Sequence, residues 1–239
     1  MARRFRLSGI VWTPGNYLLF KVPELPAGMM PGIGGAQSPG GLKLKAHGGY
    51  LLRLESFGGL ELLRLAREAL ALDGAMGATG LKVSVNRRRK VVRLAYVAPF
   101  TEGRQGAHWY AAHHALPRLL SRATNAAVQA YVYDPDEGEQ VIAYGNGRRV
   151  GGERVVYEDV ELPVPLDQMD DAAFKHMQER WPVGHLAYVF GLTRKELLRL
   201  PRVAPGHELA LEGRDAEGAA VLEALLPTCQ VTLPESDAL

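Results

Sequence analysis

The change from strand-like to helix-like patterning near residue 163 is the feature of this sequence that most constrains its fold. Before it, short apolar segments alternate with turn residues; Leu81, Val83 and Val85 are separated by polar residues, as in a strand with one buried face. Strands are predicted at 49–56, 81–85, 91–97, 128–133, 141–144 and 155–160, and helices at 60–72 and 105–124. The first helix has one apolar face, and the second is expected to be interrupted at Pro117. Turns are predicted at 145–147 and 151–152, and Asp167 is a predicted cap of a helix that reaches Trp181. The pattern predicts an α+β fold, with a body of antiparallel strands and two helices followed by a mostly helical C-terminal part.

Segments rich in proline and glycine divide the chain. The sequence Pro163-Val164-Pro165 predicts a boundary between an α+β body, residues 1–166, and a mostly helical region, residues 167–239. Within the body, residues 23–41 are dense in proline and glycine, so we expect a mobile loop there. A lid, a binding loop and an inserted linker all fit this composition.

Charge is divided unevenly between the two halves of the sequence. Residues 1–125 contain 18 lysines and arginines and 6 acidic residues, whereas residues 126–239 contain 10 and 20. The net charge of +2 therefore hides a basic half and an acidic half. This division predicts either an anionic partner for the basic half or attraction between the two halves.

Four consecutive cations stand at the tip of the hairpin predicted from strands 81–85 and 91–97. They are Arg87, Arg88, Arg89 and Lys90. Adjacent like charges repel one another, which favours a site that an anion neutralises. A basic turn of this kind can contact the phosphates of a nucleic acid or an acidic protein surface, including that of the second half. It can also serve only to keep the sheet edge from pairing with another chain.

Residues 183–202 resemble a helix-turn-helix unit. A small residue, Ala187, is followed four positions later by Gly191, and apolar anchors recur at helical spacing. Thr193 is a predicted cap of the second helix, and Pro201 is expected to limit that helix to about two turns. The resemblance implies that Arg194, Lys195 and Arg199 face outward, where they are candidate nucleic-acid or anion-binding residues. The alternative is a helical hairpin that packs on the body or on a partner.

The sequence contains no catalytic or metal-binding signature, and we expect neither a catalytic site nor a cofactor nor a metal. His108 and His113 are five residues apart, which places them on different sides of a helix, and His113 is expected to stack on Trp109. The acidic segment 134–139 lacks the glycine position of a calcium-binding EF-hand loop and is predicted to be a turn.

The composition also bears on the compartment. Cys229 is the single cysteine, which excludes an internal disulfide and favours a reducing, cytoplasmic setting. No apolar run approaches the length of a membrane span, so we expect no contact with a membrane.

Three functions follow as hypotheses. The first is a non-catalytic binding or regulatory protein that contacts DNA or RNA through its basic residues. The second is a protein–protein module, such as an immunity or assembly factor, that uses acidic residues including Glu153, Glu158 and Asp159. The third is an enzyme whose site lies beneath the 23–41 loop, beside His108, Trp109 and Tyr110. The oligomeric state stays open.

Overall fold

A computed structural model describes residues 44–53, 55, 62–75, 77–160, 168–203 and 206–211. Its strands are β1 (His47–Arg53), β2 (Gly80–Asn86), β3 (Val91–Val97), β4 (Val128–Asp134), β5 (Gly138–Gly145), β6 (Arg148–Val156) and β7 (Gly206–Ala210). Its helices are α1 (Leu62–Leu72), α2 (Gly103–Ala112), α3 (Ala115–Thr124), α4 (Asp171–Gln178), α5 (Pro182–Val189) and α6 (Arg194–Val203). The described residues therefore form a mixed α and β fold, and none of these helices is long and apolar enough to span a membrane.

All seven strands belong to one antiparallel sheet in the order β6-β5-β4-β1-β3-β2-β7. The central strand, β1, pairs with β3 and β4, so that Tyr50 lies between Leu94 and Ala130. The hairpin predicted around the four cations is confirmed, because β2 and β3 pair from Gly80–Val97 to Asn86–Val91. The basic turn thus projects from one end of a regular two-stranded ladder.

One face of the sheet is covered by α1, α2 and α3. The amphipathic pattern of α1 is confirmed, since its predicted apolar face is buried. It packs in one core with residues that alternate along the strands, including Leu52, Leu94 and Ile142. The predicted helical interruption near Pro117 is also confirmed, because α2 ends at Ala112 and α3 begins at Ala115.

The opposite face of the sheet is covered by α5 and α6. Leu51 of β1 and Tyr131 of β4 share a core there with Leu186 and Leu197 from the two helices. The C-terminal part also contributes β7, which pairs with β2 and which the sequence patterns did not predict. Residues on both sides of the predicted boundary at 166 therefore share one sheet and one core.

Two other local predictions need correction. Strand β6 begins at Arg148, seven residues before the predicted 155, because Gly151 and Gly152 pair with β5 instead of forming a turn. Helix α4 is capped by Asp170, whose carboxylate accepts the N–H of Ala173 at 2.7 Å. The predicted cap Asp167, the 23–41 loop and Cys229 lie outside the described residues.

A buried ion pair fixes α6 on the sheet and corrects the prediction for Arg194. Arg194 is only 8% exposed and points inward, where its guanidinium donates to the carboxylate of Glu139 on β5. The Tyr157 hydroxyl and the Val183 N–H donate to the same carboxylate, each at 2.9 Å. Burial lowers the pKa of Arg194, but the charge of Glu139 outweighs it and holds that pKa above its usual value. The first residue of α6 is therefore an anchor and does not face outward.

Removing one partner of this pair is expected to destabilise the protein. In Glu139→Leu the buried Arg194 loses its counterion, and we expect the free energy of unfolding to fall by about 3–5 kcal/mol. The double variant Glu139→Leu/Arg194→Met should recover part of this loss, because it leaves no buried charge. Urea unfolding of both variants, with the exposed Glu158→Leu as control, measures the effect. A loss below about 1 kcal/mol for Glu139→Leu would contradict the anchoring role.

Candidate nucleic-acid interface

The turn between β2 and β3 presents its cations to solvent. Arg87, Arg88 and Lys90 are exposed, and Arg89 is half-buried. The side-chain oxygen of Asn86 accepts the N–H of Arg89 at 3.0 Å, which holds the turn in a defined shape. Lys90 adopts a left-handed backbone with φ of 54°. Its ammonium lies 3.0 Å from the carboxylate of Glu55, and both side chains are exposed.

The start of α6 is a capping box. The hydroxyl of Thr193 accepts the N–H of Glu196 at 3.2 Å, and the Glu196 carboxylate accepts the Thr193 N–H at 2.7 Å. The predicted cap is thus confirmed. Lys195 is exposed and Arg199 half-exposed, on the side of α6 away from its buried Leu197. These two cations are available to a partner, whereas Arg194 is not.

The turn and α6 lie next to each other. Hydrogen bonds from the Thr193 N–H and hydroxyl lower the pKa of Glu196, and the positive charges of Arg89 and Arg88 lower it further. Helix α6 also contacts β2, the strand before the turn, and Val91, the residue after the turn, shares a core with Leu197. We call the surface formed by Arg87, Arg88, Arg89, Lys90, Lys195 and Arg199 the composite basic surface. Six of the seven predicted site residues belong to it.

The connection between α5 and α6 has the features on which the helix-turn-helix resemblance rests. Ala187 is fully buried, and Gly191 has φ of 68°, a left-handed conformation that favours glycine. Leu192 donates its N–H to the carbonyl of Ala187 at 2.9 Å and closes the turn. The second helix is longer than Pro201 led us to expect, because α6 continues through Pro201 to Val203.

The acidic half neutralises some cations of the basic half elsewhere. Arg104 of α2 lies with its Nε atom 2.7 Å from Asp134 and 3.2 Å from Glu137. On the strand proposed for a protein partner, Glu153 is only 6% exposed and lies 3.0 Å from the ring nitrogen Nδ1 of His185. Attraction between the halves therefore includes the Arg104 pairs as well as the influence of Arg88 and Arg89 on Glu196, whereas the contact of Glu153 with His185 lies within the second half.

One cluster could not be recognised from the sequence. His108, Asp134 and Glu137 each offer a ligand atom, and these atoms lie within 4.8 Å of one another. The side chain of Asp134 is fully buried, and its Oδ2 atom contacts both His108 and Arg104. Because the Arg104 guanidinium already places a positive charge against this oxygen, it opposes the binding of a metal cation. His108 is 26 residues from Asp134 in sequence, so spacing rules gave no signal.

Two of the three residues suggested for an enzyme site beside α2 are buried. Trp109 and Tyr110 are 8% and 2% exposed and belong to the core beneath the sheet. His113 stacks on Trp109 with ring centroids 4.3 Å apart, which confirms the stacking expected from the sequence. These residues stabilise the packing of α2, and His108 alone of the three proposed residues reaches solvent.

Comparison with protein-family models, with curated proteins and with solved structures gives no match to this chain.

The buried carboxylate of Asp134 generates a prediction about pH. Burial raises its pKa, but hydrogen bonds from the Asp136 N–H, Arg104 and His108 outweigh burial and hold the pKa below the usual 3.8. A lowered pKa stabilises the folded state above pH 4, and this contribution disappears as the pH falls through the pKa of the folded state. Asp134→Asn should lower the free energy of unfolding by about 2 kcal/mol at pH 7.

Urea unfolding between pH 7 and pH 2.5 tests this prediction. The difference between the wild type and Asp134→Asn should shrink as the pH falls below about 4. Asp136→Asn, an exposed change in the same turn, is the matched control and should have little effect. A difference for Asp134→Asn that stays constant over the whole range would contradict the assignment.

Proposed function

We propose that this protein is a non-catalytic, nucleic-acid-binding protein whose contact surface is the composite basic surface. The observation that carries the proposal is the packing of the β2–β3 hairpin against α6, because Val91, the residue after the 87–90 turn, shares a core with Leu197 about a hundred residues away in sequence. Each segment alone is a common surface feature. Together they bring the cations of the turn close to the exposed start of α6, which carries Lys195, and such a cluster of cations favours a polyanionic partner.

The balance of charge on this surface supports the proposal. Among the described residues, Glu55 pairs with Lys90, and the capping box holds Glu196. Neither Arg88, Arg89 nor Lys195 forms an ion pair with a described residue, so the repulsion between these cations is only partly offset in this part of the protein. Phosphate groups would offset the remainder, and arginine matches their geometry with a two-pronged hydrogen bond.

The arrangement favours contact with the phosphate backbone over the recognition of a base sequence. Lys195 and Arg199 lie on the exposed side of α6. The carboxylate of Glu196, between them in sequence, already accepts a hydrogen bond from the Thr193 hydroxyl and is not free to contact a base. Backbone contacts fix the position of a protein on a nucleic acid and carry little sequence information. We therefore infer binding with weak sequence preference. A reducing, cytoplasmic setting and a mostly helical C-terminal region, residues 167–239, are part of this proposal.

The protein–protein hypothesis has less support. It requires an exposed acidic strand, and Glu153 is buried against His185. Glu158 and Asp159 are exposed and remain available to a basic partner. Reversing the charges of Glu158 and Asp159 should abolish such a complex, and an unchanged complex would exclude these residues from it.

The salt dependence of binding tests the nucleic-acid proposal. We expect a fluorescently labelled duplex DNA to bind at low salt, with log K falling against log[salt] at a slope near −4.5. This value assumes about five phosphate contacts, with about 0.9 per contact and Lys90 retained by Glu55. Arg88→Ala/Arg89→Ala should weaken binding to unrelated sequences equally and reduce the slope by about 1.8.

A matched variant distinguishes binding at the composite basic surface from attraction that depends only on the net charge of the protein. Arg148→Ala/Arg149→Ala removes two adjacent exposed arginines from β6 and should leave the slope unchanged. Equal losses for the two double variants would show that only net charge matters. The proposal would be rejected if the folded wild type bound neither duplex DNA nor single-stranded RNA at low salt.

A further inference from the structure

A second charged site lies on the other side of the sheet from α6. A cavity of about 430 Å³ opens between the end of α1, helix α3 and the β5–β6 turn. Its walls include the apolar side chains Leu72 and Leu119 and the cations Arg118 and Arg122. Leu72 is 66% exposed, so the cavity is open to solvent. Its volume falls in the range of small-molecule sites.

The two arginines of the cavity lack counterions among the described residues. Arg118 and Arg122 are one turn apart on α3, a spacing at which like charges destabilise a helix. Asp73 also lines the cavity, but both of its oxygens accept the N–H of Ala115, at 3.2 and 3.3 Å. The carboxylate is therefore oriented towards the first turn of α3, and its negative charge stays beside the cavity. With two arginines and one carboxylate in its lining, the cavity keeps a net positive charge that an external anion can balance.

A polar pair beside these arginines adds a hydrogen-bond donor. The Tyr144 hydroxyl lies 2.5 Å from the Nδ1 atom of His114, which lines the cavity. Burial raises the pKa of Tyr144 to about 12, so the hydroxyl keeps its proton and has a hydrogen to donate. Burial, together with the charge of Arg118, lowers the pKa of His114 and favours the neutral ring. In the tautomer that accepts this hydrogen at Nδ1, the imidazole hydrogen is on Nε2.

We propose that this cavity binds a small organic anion with one phosphate or carboxylate group and an apolar body. Arg118 and Arg122 pair with the oxyanion, His114 donates a hydrogen bond from Nε2, and the apolar body contacts Leu72 and Leu119. The combination of paired cations with the exposed Leu72 and the half-buried Leu119 distinguishes this ligand from inorganic phosphate. Because the cavity and the composite basic surface lie on opposite faces of the sheet, the two sites are independent.

Calorimetric titration with three probes tests the ligand class. Phenyl phosphate should bind the full chain with saturation. Inorganic phosphate should bind at least tenfold more weakly, because it lacks the apolar body, and benzyl alcohol should show no saturable binding, because it lacks the charge. Absence of saturable binding of phenyl phosphate, or equal binding of phenyl phosphate and inorganic phosphate, would overturn the proposal.

Variants locate the binding. Arg118→Gln/Arg122→Gln should weaken phenyl phosphate binding at least tenfold, and Leu72→Ser should weaken it less. Arg154→Gln, an exposed change on β6 outside the cavity, is the control and should bind as the wild type does. Circular dichroism establishes that each variant is folded. Unchanged binding by the folded double variant, or an equal loss in Arg154→Gln, would overturn the assignment.

Discussion

The buried ion pair between Glu139 and Arg194 is the interaction on which the rest of the structure depends. It joins β5 to the first residue of α6, and the same carboxylate holds the first turn of α5 through Val183. Two helices are thus fixed on one face of the sheet by a single side chain. Such a pair contributes little net stability compared with apolar packing, but it permits few alternative positions for its partners. The position of α6 beside the basic turn follows from this constraint.

Some cations of the basic half are neutralised by carboxylates of the acidic half, and others stay exposed. Arg104 is neutralised by Asp134 and Glu137 at the acidic turn after β4, whereas in the 87–90 turn Lys90 pairs with Glu55, and the charges of Arg88 and Arg89 act on Glu196. The burial of the carboxylate determines how strongly each cation is neutralised. Asp134 is buried and attracts a cation to itself, while Glu55 and Glu196 are exposed and act weakly through solvent. The exposed cations of the 87–90 turn are therefore only weakly neutralised, and a partner can bind them.

Local patterns predicted most of the described elements, because each depends on neighbours in sequence. The amphipathic face of α1, the β2–β3 hairpin and the Thr193 cap were all evident from spacing. The elements that the sequence patterns did not predict depend on residues distant in sequence. Strand β7 forms because it pairs with the edge of β2, and Gly151-Gly152 is extended because it pairs with β5. The inward turn of Arg194 likewise required Glu139, 55 residues away. Sequence spacing identified the basic residues, but their meeting on one surface came from the tertiary fold.

The most direct measurement of the central claim is amide hydrogen exchange with and without a saturating duplex DNA at low salt. If the turn and α6 form one surface, peptides covering residues 87–90 and 194–199 should both gain protection. Peptides covering α3 should exchange at an unchanged rate. Protection of one segment without the other, or of neither, would contradict a shared interface.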